Sequence, residues 1–149
     1  MSKDKMSDSE LVSRIADSLI GSIDAPGAEP SSDEMRLFFD VYCFDMEIGS
    51  GASFDQYFHW ASKEQIDRIV SQLNELGLDS IIGPTKKAID VAFPAGVPEN
   101  EDEFDECLEW TEDQELELEE LYEQEVEIHA LLEEKLAKYA RKNNLLSQI

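Results

Sequence analysis

Between Lys87 and Lys135 the chain contains no Lys or Arg, while Asp90–Glu134 supplies 19 of its 35 acidic residues. Neighbouring carboxylates repel, and like-charge i,i+4 pairs weaken a helix by about 0.2–0.5 kcal/mol each. Folding stability alone therefore does not favour such a run. Part of it has a helical rationale. Glu112 and Asp113 sit where a helix N-terminus favours anions, and Lys135, Lys138, Arg141 and Lys142 sit where its C-terminus favours cations. The carboxylates between these ends have no such reason. Glu115, Glu119, Glu123 and Glu127 recur at i,i+4, which on a helix sets one carboxylate every ~6 Å. That is comparable in scale to the phosphates of one nucleic-acid strand, ~3.4 Å apart along the duplex axis.

The formal net charge is −23 over 149 residues. Such a charge repels nucleic acid and anionic membranes and attracts basic partners. Direct nucleic-acid binding is not expected, because it runs on phosphate neutralisation by Lys and Arg. A hydrophobic content of 42% sets the chain apart from disordered polyelectrolytes. The start, MSKDKMSDSELV, lacks an apolar signal core, and no run approaches a membrane span. A cytoplasmic protein is the expectation. Cys43 and Cys107 lack CxxC spacing and read as reduced thiols. ENEDEFDECLEW lacks the glycine turn and ligand order of a calcium loop, and no cofactor is expected.

Helical periodicity runs through the chain. Leu11, Ile15, Leu19 and Ile23 predict a first helix over 7–23, capped by Ser7 or Ser9. The stretch DAPGAEPSSDE breaks it and reads as a linker, so residues 1–30 form an N-terminal helix and linker ahead of a domain over 31–149. Ser32 starts a second helix, Asp33–Ile48, whose stripe is Met35, Phe38, Phe39, Tyr42, Cys43 and Met46. Gly49 and Gly51 end it, and Ser53 caps a short aromatic helix, Phe54–Trp60. Ser62 caps the next, which stops at Gly77. Gly83-Pro84 is expected to divide or kink the helical segment that follows. Beyond Pro98 one long helix is predicted over Thr111–Asn143, with Thr111 as cap and Leu118, Leu121, Tyr122, Ile128, His129, Leu132, Leu136 and Tyr139 on its apolar side. The acidic segment Glu99–Glu109 is expected to order only against a basic surface. No alternating β pattern occurs, so the fold class is all-α, a single compact multi-helix domain with a long acidic C-terminal helix.

The aromatic run around Tyr57 reads first as core. Buried aromatics contribute about 1.5–3 kcal/mol each, and the nearby glycines permit a tight reversal. Gln56 is the one residue of the run with no assigned place; if buried, its amide would need partners and would lock the glycine turn by bonding backbone groups there. A catalytic reading would recruit His59, Asp55 and Gln56, but no second catalytic partner is evident, so no enzymatic chemistry is expected. GSG is neither preceded by a strand nor followed by Lys-Ser/Thr, unlike a phosphate loop.

The run EIGSGASFDQYFHWAS, followed by a helix ending LNELGLDSIIGPTKKAI, resembles the bacterial DNA-mimic protein family. The hallmark is a glycine-rich turn and then Phe-x-Gln-Tyr-Phe. Phe54, Gln56, Tyr57 and Phe58 match it, Gly49 and Gly51 stand near the turn glycines, and Leu76 and Gly77 match a later turn. The turn itself departs from the family's Asn-Gly-Gly. The resemblance covers residues 33–93 and implies an all-helical fold, a homodimer and surface carboxylates that occupy the DNA site of a transcription factor or nucleoid protein. The partner-binding face expected here comprises Glu101, Asp102, Glu103, Asp105, Glu106, Glu109, Glu112, Asp113, Glu115, Glu119, Glu120, Glu123 and Glu127. The partner would be a basic DNA-binding protein. An immunity or antitoxin protein that plugs a basic nuclease toxin would use the same physics.

Overall fold

A computed structural model describes residues 6–22, 30, 32–49, 54–123 and 129–148. Side-chain chemistry starts most of the helices. Ser7 accepts from the Glu10 amide at 3.1 Å and opens α1, Asp8–Ser22. Ser32 accepts from the Met35 amide and opens α2, Asp33–Phe44. Directly after α2 the backbone widens into one π-helical turn, Asp45–Gly49, and α3 is Phe54–Trp60. Ser62 and Gln65 cap each other's backbone amides at 3.1 and 3.0 Å to open α4, Lys63–Glu75. Gly77 ends α4 at φ 75°, a conformation that favours glycine, and the Leu78 amide donates back to the Leu73 carbonyl. Ser53 and Ile23, expected at helix ends, lie outside the described residues, as do Gly51 and the linker before Pro30.

α5 spans Asp79–Ala92, α6 Glu101–Cys107, α7 Glu112–Glu123 and α8 His129–Lys142, followed by a 3-10 turn at Leu145–Gln148. No strand occurs among the described residues, and the architecture is all-α. α1, α2 and the π turn pack on α8; α4 bridges α2 and α5; α7 packs on α5 and α3. One continuous core joins them, and it includes Leu11, Val12, Ile15, Ala16 and Leu19 of α1.

Three expectations need correction. Pro84 lies inside α5 and does not divide it. The preceding Gly83 has no Cβ for the proline ring to clash with, and packing on α4 and α7 holds the helix. Of the stretch predicted as one long helix, Glu112–Glu123 and His129–Lys142 are helical, here α7 and α8, and residues 124–128 between them lie outside the described residues. The buried face of α2 is Met35, Leu37, Phe38, Val41 and Phe44, whereas Phe39, Tyr42 and Cys43 are half-buried and Met46 is exposed. α2 is apolar nearly all round, so periodicity alone does not choose its inner face. Finally, α2 ends at Phe44, where the π turn begins.

The inner face of α2 also carries a charge. Asp40 is only 1% exposed. It accepts from Arg68 Nε at 2.9 Å, Gln72 Nε2 at 2.7 Å and Gln65 Nε2 at 3.3 Å, which locks α2 to α4. Removing one partner of a buried ionic network leaves the others unpaired. Asp40→Ala is expected to lower unfolding stability by about 3 kcal/mol, read by urea denaturation at pH 7. A loss below about 1 kcal/mol would show that the network contributes little.

Candidate functional site

The acidic segment is held by its few non-acidic residues. Asn100 caps α6 by accepting from the Asp102 and Glu103 amides at 2.8 and 3.1 Å. Phe104 stacks on Phe93 with ring centroids 5.4 Å apart. Trp110 packs edge-on against Phe58 and His59, and its indole N–H donates to the Ala92 carbonyl at 3.1 Å. Thr111 and Gln114 cap α7 reciprocally, and Gln114 Nε2 donates to the Val91 carbonyl at 2.8 Å. Those two carbonyls belong to the last turn of α5, whose acceptors have no intrahelical donor. Leu118 and Leu121 complete the attachment as buried residues. The segment is therefore ordered on the protein's own core, which corrects the expectation that 99–109 orders only against a basic surface.

All the acidic residues assigned to the partner face and described here are exposed: Glu101, Asp102, Glu103, Asp105, Glu106, Glu109, Glu112, Asp113, Glu115, Glu119 and Glu120. α6, the turn that follows it and α7 carry them, together with the exposed Glu117. Glu127 and the side chain of Glu123 lie outside the described residues. None of these face carboxylates is in an ion pair among the described residues, and Arg36, Lys63, Arg68 and Arg141 pair with Asp33, Asp67, Asp40 and Asp8 instead. Between α5 and α7 a shallow cleft of about 330 Å³ is lined by Asp90, Glu117, Glu120, Val91, Leu121 and Lys87.

Sequence reasoning missed one residue of this face. Leu116 is 53% exposed. Its helical neighbours at i±3 and i±4 are Asp113, Glu119, Glu112 and Glu120, all exposed. Periodicity does place Leu116 off the Leu118–Leu121 stripe, which is the signal that could have found it.

The aromatic motif is structural in part. Phe54, Tyr57 and Phe58 are buried and pack on one another and on Phe44 and Phe93. Gln56, by contrast, is exposed, so the condition of burial is not met, and His59 is exposed as well. Gly49 is the last residue of the π turn. Cys43 and Cys107 are both free thiols. Burial pushes the Cys43 thiol up to about 11, the direction opposite to an activated nucleophile. No group of three or more His, Cys, Asp or Glu that could hold a metal occurs among the described residues, and none of their helices is long and apolar enough to cross a membrane.

Fold and surface thus define an all-α domain with one uncompensated carboxylate face. The family model of the DMP19-like proteins matches residues 30–143, and the chain belongs to that family. This overturns the resemblance to the bacterial DNA-mimic protein family drawn from Phe54, Gln56, Tyr57 and Phe58, since the family that matches is a different one. Membership in it states no activity. No curated protein and no solved structure matches the chain.

Two outcomes follow from the attachment. Phe104→Ala is expected to raise amide hydrogen exchange across 101–108, with a global loss of only about 1–2 kcal/mol; unchanged exchange there would show that Phe104 does not hold α6. Cys43 in the native protein at pH 8 is expected to alkylate at least roughly ten-fold more slowly than in urea, because a pKa near 11 leaves little thiolate. Mass spectrometry of iodoacetamide-treated peptides measures it, and equal rates would refute the burial.

Proposed function

We propose that the carboxylate face of α6 and α7 binds the DNA-contacting surface of a basic protein, a transcription factor or a nucleoid protein, and thereby keeps DNA off it. The observation that carries this reading is the exposure of every described carboxylate from Glu101 to Glu120 on two helices with no Lys or Arg among them. A face kept this negative costs helix stability, and its long-range field draws basic surfaces to it. Leu116 supplies the apolar spot that interfaces concentrate at their centre, ringed by polar groups. The groove of duplex DNA likewise combines anionic edges with apolar thymine methyls. The mechanism requires no bond making: the partner's Lys and Arg side chains exchange phosphate oxygens for carboxylate oxygens.

Binding of this kind is expected to weaken steeply with salt, because charges more than about 8 Å apart are screened at physiological ionic strength. The test is capture of partners from native lysate at low salt, with and without competing duplex DNA, by the wild-type chain and by the double variant Glu115→Lys, Glu119→Lys. The expected result is one or two DNA-binding proteins, released by duplex DNA and bound at least roughly ten-fold more weakly by the variant, at unchanged thermal stability. Equal capture by wild type and variant would refute the face. Recovery of a nuclease released by its own substrate would replace the transcription-factor reading with the immunity one.

A further inference from the structure

A cleft of about 320 Å³ opens where α1, α2, the π turn, α3 and α4 meet. Its walls are mostly apolar, with Ile20, Phe39, Tyr42, Met46 and Ala61 beside Tyr57. Ile20 and Met46 stand 54% and 51% exposed at its mouth. The volume is about twice the ~150 Å³ of an apolar cavity that accepts benzene, and within the range of small-molecule sites.

Of the polar side chains that line the cleft, Gln65 is engaged at both ends of its amide. Gln65 accepts from the Ser62 amide at 3.0 Å and donates to Asp40 at 3.3 Å. Tyr57, by contrast, is both buried and unmet. The residue is 2% exposed and its hydroxyl has no hydrogen-bond partner among the described residues. Buried phenols almost always find a partner, and an unmet one costs about 1–3 kcal/mol. Burial pushes the Tyr57 phenol strongly up, and Asp40 adds to this, so the group remains an O–H donor at any physiological pH.

We propose that this cleft is a binding site for a small uncharged molecule with an aromatic or branched aliphatic body and one acceptor oxygen, which takes the hydrogen bond of the Tyr57 hydroxyl. Charge decides against an anion. Glu47 lines the cleft, Asp17 and Asp45 both act on the half-buried Tyr42 phenol, and no Lys or Arg lines it among the described residues. The need for an acceptor decides against a pure hydrocarbon. The site is independent of the acidic face, and it stands or falls without it.

The full chain, labelled with ¹³C at methionine and isoleucine methyls, is titrated with acetophenone, toluene and benzoate. NMR shifts of Met46 and Ile20 are followed, with the Met35 methyl in the core as internal reference. The expected result is a saturable shift confined to the cleft methyls, with acetophenone binding roughly three- to ten-fold more tightly than toluene, the range of one net hydrogen bond, and benzoate binding weakest. Tyr57→Phe, which removes only the unmet hydroxyl, should bring acetophenone to the affinity of toluene and leave toluene unchanged. No cleft-specific shift up to the solubility limit, or equal binding of all three probes, overturns the proposal. Retention of the acetophenone preference in Tyr57→Phe overturns it too. The wild-type series decides on its own if that variant does not fold.

Discussion

The ring of Phe58 is the contact on which the rest of the structure depends. It is fully buried and meets Phe54, Tyr57, Phe93 and Trp110, with centroids 5.4–6.3 Å apart. Through Tyr57 the chain of rings reaches Phe44 at the end of α2, and through Phe93 it reaches Phe104 on α6. A seven-residue helix thereby connects the first half of the fold to the acidic segment. Aromatic pairs in edge-on or offset geometry add about 0.5–1.5 kcal/mol each beyond the area they bury, and α6 has no fully buried residue of its own. Its place depends on that chain of rings, on Asn100 and on the indole of Trp110.

The distribution of charge follows the same division. Arg36 and Lys63 pair with Asp33 and Asp67 within α2 and α4, Arg141 of α8 reaches Asp8 of α1, and Arg68 ties α4 to the buried Asp40 of α2. α6 and α7 have no cation of their own. The result is a molecule in which electrostatics stabilises one part locally and leaves the other uncompensated, although the core that holds both is continuous.

What the sequence made legible were the features governed by local rules. Ser32, Ser62 and Thr111 cap where the spacing to the following amide predicts, and Gly77 stops α4 because its φ suits glycine. Exposure of the carboxylates was legible for the same reason, since charge of one sign has nowhere to go but the surface. Decisions made by tertiary packing were not. The face that α2 buries, the passage of α5 through Pro84, the exposure of Gln56 and His59, and the order of α6 all depend on neighbours distant in sequence. Gln72 is a further case: it looks like a surface residue of an amphipathic helix, yet it lies buried because Asp40 accepts its amide. The Tyr57 hydroxyl was illegible too, as a motif that marks a buried ring does not say whether its oxygen finds a partner.

The two hydrogen bonds from Trp110 and Gln114 to the last carbonyls of α5 have an entropic consequence. They fix the start of α7 and the end of α5 as one body. A disordered acidic tail of the same composition would lose about 1–2 kcal/mol of backbone freedom for each residue it ordered on contact. Carboxylates already mounted on docked helices lose chiefly side-chain rotamers. The face between Glu101 and Glu120 thus meets another molecule with its spacing set in advance, and shape as well as charge enters the selection of what can lie against it.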